Sequence, residues 1–218
     1  GQSEDEQVRE RRLRAGRTKA NARVLVKMSP LLWVLAGGNG AGKTTFYEKY
    51  LAPRGLQMLS ADDVARALEP ADPNIAISEA QAWVEKKRER LFSNMESFCY
   101  ETVFSHPGKI DAIARAKGHG YAITLTYFHL DTAQLNQARV SQRVSQGGHD
   151  VPPEKIVARI PRTMKHVGVA IKLVDQAHLL DNSSYTNPFR LVADVKDGVV
   201  TIHADPLPTW ASEMLSGI

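Results

Sequence analysis

Short apolar stretches alternate along the chain with longer stretches that have the apolar periodicity of helices. The apolar stretches predict strands at residues 31–36, 55–59, 98–104, 121–130, 178–180, 189–195 and 199–203. Helices are predicted over residues 45–50, 64–68, 78–96, 109–117, 132–145 and 152–176, with Gly118 as a C-cap glycine and Pro161 as a kink. Strands that alternate with helices are typical of a three-layer α/β fold with a mainly parallel central sheet. Lys196-Asp197-Gly198 predicts a C-terminal β-hairpin.

The loop after the first predicted strand carries a phosphate-binding pattern. Residues 37–44 fit G-x-x-x-x-G-K-S/T, and they stand between an apolar strand and a predicted helix, as this pattern requires. The glycines let the backbone turn tightly and direct its N–H groups inward, towards a bound anion. Lys43 would reach the β- and γ-phosphates of a nucleoside triphosphate, and the Thr44 hydroxyl would hold Mg²⁺. The residues predicted to bind the nucleoside triphosphate are Gly38, Asn39, Gly40, Ala41, Gly42, Lys43, Thr44 and Thr45.

Composition narrows the class of protein. With 218 residues the chain is long enough for one domain, and its 43% hydrophobic and 24% charged residues are ordinary for a globular protein. No apolar run approaches the roughly 20 residues of a membrane span, and no secretory signal is visible. The single cysteine, Cys99, excludes an internal disulfide framework and suits a reducing compartment. A cytoplasmic protein without membrane contact is expected.

The net positive charge of the chain comes from its first 27 residues. Residues 1–27 hold eight basic and four acidic residues, so they account for the whole net charge of +4, and residues 28–218 sum to zero. This division predicts a basic N-terminal arm or helix over 1–27 and one domain over 28–218. The arm could contact nucleic acid or an acidic partner, although such charge runs are more often a solvated helix or tail.

Two carboxylates are candidates for chemistry. Proteins with this loop include switches, motors and kinases; the N-K-x-D and D-x-x-G elements of GTPase switches are absent from the sequence, which favours a kinase. In Ser60-Ala61-Asp62-Asp63, Ser60 and Asp63 fit a capping box, which leaves Asp62 as the candidate general base. Glu101, at the end of a strand, either binds acceptor hydroxyls, the interpretation we favour, or pairs with a buried cation.

Arginines surround a predicted glycine hinge. Arg139 and Arg143 lie four residues apart on one helical face, and Arg159 and Arg162 follow the Gly147-Gly148 pair. Such a segment suits a lid that closes over a triphosphate and supplies positive charge to the transition state. The alternative is a solvated basic helix face.

These motifs together resemble the zeta-toxin family over about residues 31–184. The matching stretches are the phosphate loop, Ala61-Asp62-Asp63, Glu101-Thr102, residues 143–162 around Gly147-Gly148-His149, and Asp181-Asn182-Ser183. The resemblance implies a P-loop kinase fold with a lid segment, ATP and Mg²⁺ as cofactors, and phosphorylation of a UDP-N-acetyl sugar or of another nucleotide-containing metabolite. It also implies an antitoxin protein as a possible partner.

The resemblance assigns roles to matched residues. Lys43 and Thr44 hold phosphates and Mg²⁺, Asp62 is the base, and Arg143 and Arg159 are lid cations; Glu101, Thr102 and His149 fall on the acceptor side. Ser60, Val103 and Ala158 depart from the residues frequent in the family, near the acceptor and the lid. A small-molecule kinase is therefore the first hypothesis, and no nucleic-acid acceptor is favoured. The second is a non-catalytic ATP-binding module that docks a macromolecule through its basic arm.

Overall fold

A seven-stranded sheet with helices on both faces forms the framework of the protein. The computed structural model describes residues 29–68, 73–145 and 151–218. The strands are β1 (Leu31–Gly37), β2 (Gln57–Ser60), β3 (Phe98–Thr102), β4 (Ala122–His129), β5 (Gln176–Asp181), β6 (Arg190–Lys196) and β7 (Val199–Ile202). The helices are α1 (Lys43–Phe46), α2 (Ala61–Leu68), α3 (Pro73–Asn94), α4 (Gly108–Gly118), α5 (Ala133–Ser145), α6 (Pro153–Ile171) and α7 (Thr209–Leu215). Helix α1 continues into a π-helical turn (Tyr47–Leu51) and a 3₁₀ turn (Ala52–Arg54).

Three predictions fall on residues outside these ranges. They are the basic arm over 1–27, the glycine hinge at Gly147-Gly148, and His149. Within the described ranges, the helices include none that is both long and apolar enough to cross a bilayer.

The strand order places the first strand in the middle of the parallel part of the sheet. The order is β2-β3-β1-β4-β5-β6-β7; the first five strands are parallel, and β6 and β7 complete the sheet as an antiparallel hairpin. Register brings Leu35 of β1 opposite Glu101 of β3, and Glu101 opposite Ser60 of β2. The carboxyl ends of three strands therefore meet beside the phosphate loop, which begins where β1 ends.

Side-chain alternation divides the core between the two faces of the sheet. Val34 of β1 and Tyr100 of β3 belong to the larger apolar cluster, which packs under α3, α4, α6 and α7. Leu35 and Cys99, their neighbours in sequence, belong to the smaller cluster around α1. Successive strand residues point to opposite faces, so each strand serves both layers, and the predicted three-layer α/β fold is confirmed.

Several predicted helix boundaries differ from the structure, and two of these differences have an identifiable cause. Helix α4 includes Gly118, and the left-handed backbone that ends it lies at Gly120, with φ of +81°, so the C-cap glycine is two residues later than predicted. The helix predicted to run to residue 176 ends at Ile171, because Gln176 pairs with Thr124 of β4 and Lys196 of β6. Pro161 lies inside α6, and the kink at this residue stays a prediction.

A buried hydroxyl ties the end of α3 to the start of β4, which generates a stability prediction. Tyr121 Oη lies 2.8 Å from the carbonyl oxygens of both Leu91 and Glu96. We expect Tyr121→Phe to lower the free energy of unfolding by about 1–2 kcal/mol, because the single O–H donor that the two buried carbonyls share is lost. Tyr185→Phe is the control, since Tyr185 is 96% exposed. Urea denaturation of both variants measures the difference, and equal midpoints would contradict this role of the hydroxyl.

Candidate active site

The phosphate loop has positions where the backbone fits only glycine, and Gly42 is one of them. Gly42 has φ of +96°, and a Cβ atom there would lie 2.4 Å from the side-chain nitrogen of Asn182. This steric clash explains why the residue directly before Lys43 is a glycine. The side chain of Asn182 occupies the space that any larger residue would need.

Two buried asparagines hold the loop from outside. Asn136 of α5 donates its amide to the carbonyl oxygen of Asn39 at 2.7 Å, and Asn182 donates to the carbonyl of Ala41 at 2.8 Å. The side-chain oxygen of Asn182 also accepts a hydrogen bond from the N–H of Phe189. Asn136 was missed by sequence reasoning, and Asn182 entered only through the family resemblance. The sequence offered one indication of Asn136: it lies four positions before the apolar Val140, on the same face of the helix, and both residues are buried.

Lys43 is buried at the centre of the site. Its ammonium donates to the carbonyls of Gly37 and Gly38 at 2.9 and 3.0 Å and lies 3.8 Å from Glu101 Oε1. Burial lowers the pKa of Lys43, while the negative charges of Glu101 and Asp62 oppose that shift. Two carbonyls of the loop and the Glu101 carboxylate of β3 therefore hold the Lys43 ammonium in place.

Glu101 faces the phosphate loop. Its Oε2 accepts a hydrogen bond of 3.1 Å from the Thr44 hydroxyl, and burial raises its pKa while Lys43 opposes the rise. The structure thus shows the second of the two alternatives for Glu101, a pairing with a buried cation; contact with an acceptor stays a prediction. The neighbouring Thr102 Oγ1 accepts a hydrogen bond from the N–H of Phe104.

The residues present suit a magnesium ion. A hydroxyl oxygen of Thr44 and a carboxylate oxygen of Glu101 lie together beside the loop. Mg²⁺ prefers oxygen ligands and takes only one or two of them from the protein when substrate phosphates supply others. In the described part of the chain no cluster of three or more histidine, cysteine or acidic side chains forms a metal cage, and this manner of binding requires none.

The two aspartates after β2 have different surroundings. The Asp63 N–H donates to Ser60 Oγ at 3.4 Å, which is the N-cap half of the predicted capping box. Asp62 lines the cavity described below, and its charge acts on both Lys43 and Glu101. The structure therefore brings Asp62 to the loop.

One arginine of the segment supports the phosphate loop, and two others add positive charge near Lys43. Arg139 donates to the carbonyl of Asn182 at 2.9 Å and so belongs to the scaffold of the loop. Arg159 donates to the side chain of Asn39 at 3.3 Å. The positive charges of Arg143 and Arg159 both lower the pKa of Lys43, so α5 and α6 each direct one cation towards the loop. A small apolar cluster that includes Val140 and Ile156 packs these two helices together.

A cavity of 380 Å³ joins the loop to surfaces on α2, α3, α4 and α6. Lys43, Asp62, Glu101 and Arg159 line it together with residues that take no part in the phosphate loop. Its further lining includes Ile77, Val84, Tyr100, Thr102, Phe104, His106, Lys109 and Lys155. Its volume lies within the range of small-molecule sites.

Fold and loop together define a P-loop protein with a three-layer α/β fold. Residues 32–166 match a family described as an AAA domain, and because this match covers well over half of the chain, the protein belongs to that family. A protein of Haemophilus influenzae described as uncharacterized is 24% identical over 135 residues, which are 59% of this chain and 96% of that protein.

Two solved structures share the fold. A chain of the AvrRxo1-ORF1:-ORF2 complex with ATP superposes with a TM-score of 0.70 at 18% identity; the match covers 86% of this chain and 64% of that one, so this chain spans less than two thirds of its neighbour. A chain of the PezAT chromosomal toxin–antitoxin system of Streptococcus pneumoniae gives a TM-score of 0.60 at 17% identity, covering 98% and 93%. These likenesses confirm the zeta-toxin-like P-loop kinase fold that the sequence implied.

The role of Asn182 yields a binding prediction. We expect Asn182→Ala to weaken binding of a non-hydrolysable ATP analogue about tenfold or more, because the Ala41 carbonyl and the Phe189 N–H lose their partners and the loop loses its shape. Isothermal titration calorimetry measures the change. Asn187→Ala, at an exposed asparagine of the same connection, is the control. Unchanged affinity in a folded Asn182 variant would show that the loop keeps its shape without this side chain.

Proposed function

We propose that this protein is an ATP-dependent kinase that transfers the γ-phosphoryl group to a hydroxyl of a small nucleotide-containing acceptor. One observation carries the proposal: the cavity that contains Lys43, Asp62, Glu101 and Arg159 extends past the phosphate loop over surfaces that a triphosphate alone would not need. The AAA domain family and the fold shared with an ATP-bound complex support the nucleotide half of this proposal.

The phosphate side consists of the loop and the cations around it. Backbone N–H groups of the loop would cradle the phosphates, and Lys43 would move from the carbonyls of Gly37 and Gly38 to the β- and γ-phosphates. Arg143 and Arg159 would add positive charge where negative charge develops during transfer. Thr44 and Glu101 would hold Mg²⁺, which neutralises phosphate charge when bound.

The acceptor side needs a base for the attacking hydroxyl. Asp62 is exposed in the first turn of α2, lines the cavity and acts electrostatically on Lys43 and Glu101, so its carboxylate lies at the boundary between loop and acceptor space. It would accept the hydroxyl proton as the oxygen attacks the γ-phosphorus. The bond from that phosphorus to the β–γ bridging oxygen breaks, and ADP leaves.

A UDP-N-acetyl sugar is the acceptor that we place first. The family resemblance indicates it, with Glu101, Thr102 and His149 as proposed contacts. Residues 28–218 carry no net charge, so they lack the positive excess on which the backbone contacts of a polynucleotide kinase depend. Because one structural neighbour comes from a toxin–antitoxin system, an antitoxin-like protein is a proposed partner.

The two aspartates should separate catalysis from stability. We expect Asp62→Asn to lower kcat by about 10²-fold or more, the usual loss for a positioned base. Asp63→Asn should lower the free energy of unfolding by about 1 kcal/mol, because the capping box weakens, and leave turnover nearly intact. Steady-state kinetics and thermal unfolding of both variants test this. The opposite pattern would move the base to Asp63.

The acceptor class can be tested by initial rates with labelled ATP. The series is UDP-N-acetylglucosamine, other nucleotide sugars, free nucleotides, dinucleotides and 5′-hydroxyl oligonucleotides, each across a range of salt concentrations. We expect the nucleotide sugar to be fastest, with Lys43→Ala removing nearly all transfer. Oligonucleotide phosphorylation that is faster and falls steeply with salt would overturn the small-molecule assignment. ATP binding with no transfer to any acceptor would favour the non-catalytic module.

A further inference from the structure

The cavity has a second side, whose chemistry differs from that of the phosphate loop. Glu101 points to the face of the sheet that carries α1, where it meets Lys43 and Thr44. Tyr100, the preceding residue, points to the opposite face and packs in the cluster under α3 and α4, yet both residues line the same cavity. One strand therefore separates a phosphate side from an acceptor side.

A buried arginine with one unsatisfied nitrogen lies beside the Tyr100 ring, next to the residues that line the cavity. The guanidinium carbon of Arg88 lies 5.7 Å from the centre of the Tyr100 ring, and the residue is only 6% exposed. Its Nε has no hydrogen-bond acceptor in the described part of the chain, and the nearest carboxylate oxygen, Glu89 Oε1, is 3.9 Å away. Glu89 also forms an ion pair with Arg115, so one carboxylate faces two guanidinium groups.

Further basic side chains line the cavity. Lys109 Nζ of α4 lies 5.6 Å from the Tyr100 ring centre, and Lys155 of α6 and His106 also line the cavity. Among the residues that the structure describes, no acid lies within ion-pair distance of either lysine. Of the described residues that line the cavity, Glu85 is the one acid apart from Asp62 and Glu101.

We propose that Lys109 and Lys155, together with the charge of Arg88 beside the Tyr100 ring, form a subsite for an anionic group of the acceptor, a phosphate or diphosphate. The subsite rests on the proposed kinase function and deepens it: the acceptor would present its hydroxyl to Asp62 and its anion to the lysines. Lysine suits this task because it acts as a point charge towards phosphate oxygens. Acceptors without a phosphate would bind poorly.

Calorimetry with matched ligands tests the subsite without relying on turnover. The protein is first saturated with a non-hydrolysable ATP analogue and Mg²⁺, so that the phosphate loop is occupied, and is then titrated with UDP, uridine, UDP-N-acetylglucosamine and N-acetylglucosamine. We expect the diphosphate-bearing member of each pair to bind at least tenfold more tightly, and this preference to shrink with added salt. Equal binding within both pairs would overturn the proposal.

Variants assign the effect to the lysines. Lys109→Ala and Lys155→Ala should each weaken UDP binding about tenfold and leave uridine binding unchanged, whereas Lys165→Ala, at an exposed position of α6 outside the cavity, should change neither. A preference for UDP that survives both substitutions would refute this placement of the subsite. The kinase function can fail separately: selective UDP binding without transfer to any acceptor would keep the subsite and remove the kinase assignment.

Discussion

The buried ammonium of Lys43 is the constraint on which the site depends. A cation removed from water is costly unless its hydrogen bonds and charge are satisfied, and here two loop carbonyls and Glu101 satisfy them. Glu101 is available only because β3 pairs with β1 in the register that sets it beside Leu35. The order of the strands therefore contributes to the site, because β3 lies next to β1 and brings Glu101 within ion-pair distance of Lys43.

The loop that carries this lysine is held by amide groups from two distant elements. Asn136 and Asn182 each satisfy a loop carbonyl, and Arg139 in turn binds the carbonyl of Asn182. Because these groups are already oriented, the backbone N–H groups would need little rearrangement to meet a phosphate, which is the condition under which fixed dipoles stabilise charge most. The same hydrogen bonds connect the loop to α5, the helix that contains Arg143. A shift of this helix would therefore change the shape of the loop.

Local features were predictable from the sequence, and features that depend on distant pairing were not. The phosphate loop, its flanking elements and the hairpin at Asp197 follow from residues within a few positions of each other. The bond from Asn136 to Asn39 spans 97 residues, and no local pattern specifies it. The sequence could not decide whether Glu101 binds an acceptor or pairs with a cation. Side-chain alternation along the strand gives the face of the sheet that Glu101 occupies, but the neighbouring strand determines which residues lie on that face. Gln176 fits a helix by composition, but pairing with strands on both sides places it in β5.

Strand β3 divides the cavity into two sides that differ in how freely their side chains can be replaced. Glu101 serves the phosphate side and Tyr100 the other, and consecutive residues of a strand cannot exchange faces without a shift of register that would disrupt the whole core. The phosphate side is therefore fixed by the sheet. The acceptor side is lined by helices α3, α4 and α6, whose side chains, Lys109 and Lys155 among them, can be replaced without moving a strand. Under the kinase function proposed above, this arrangement would place the determinants of acceptor choice on the three helices.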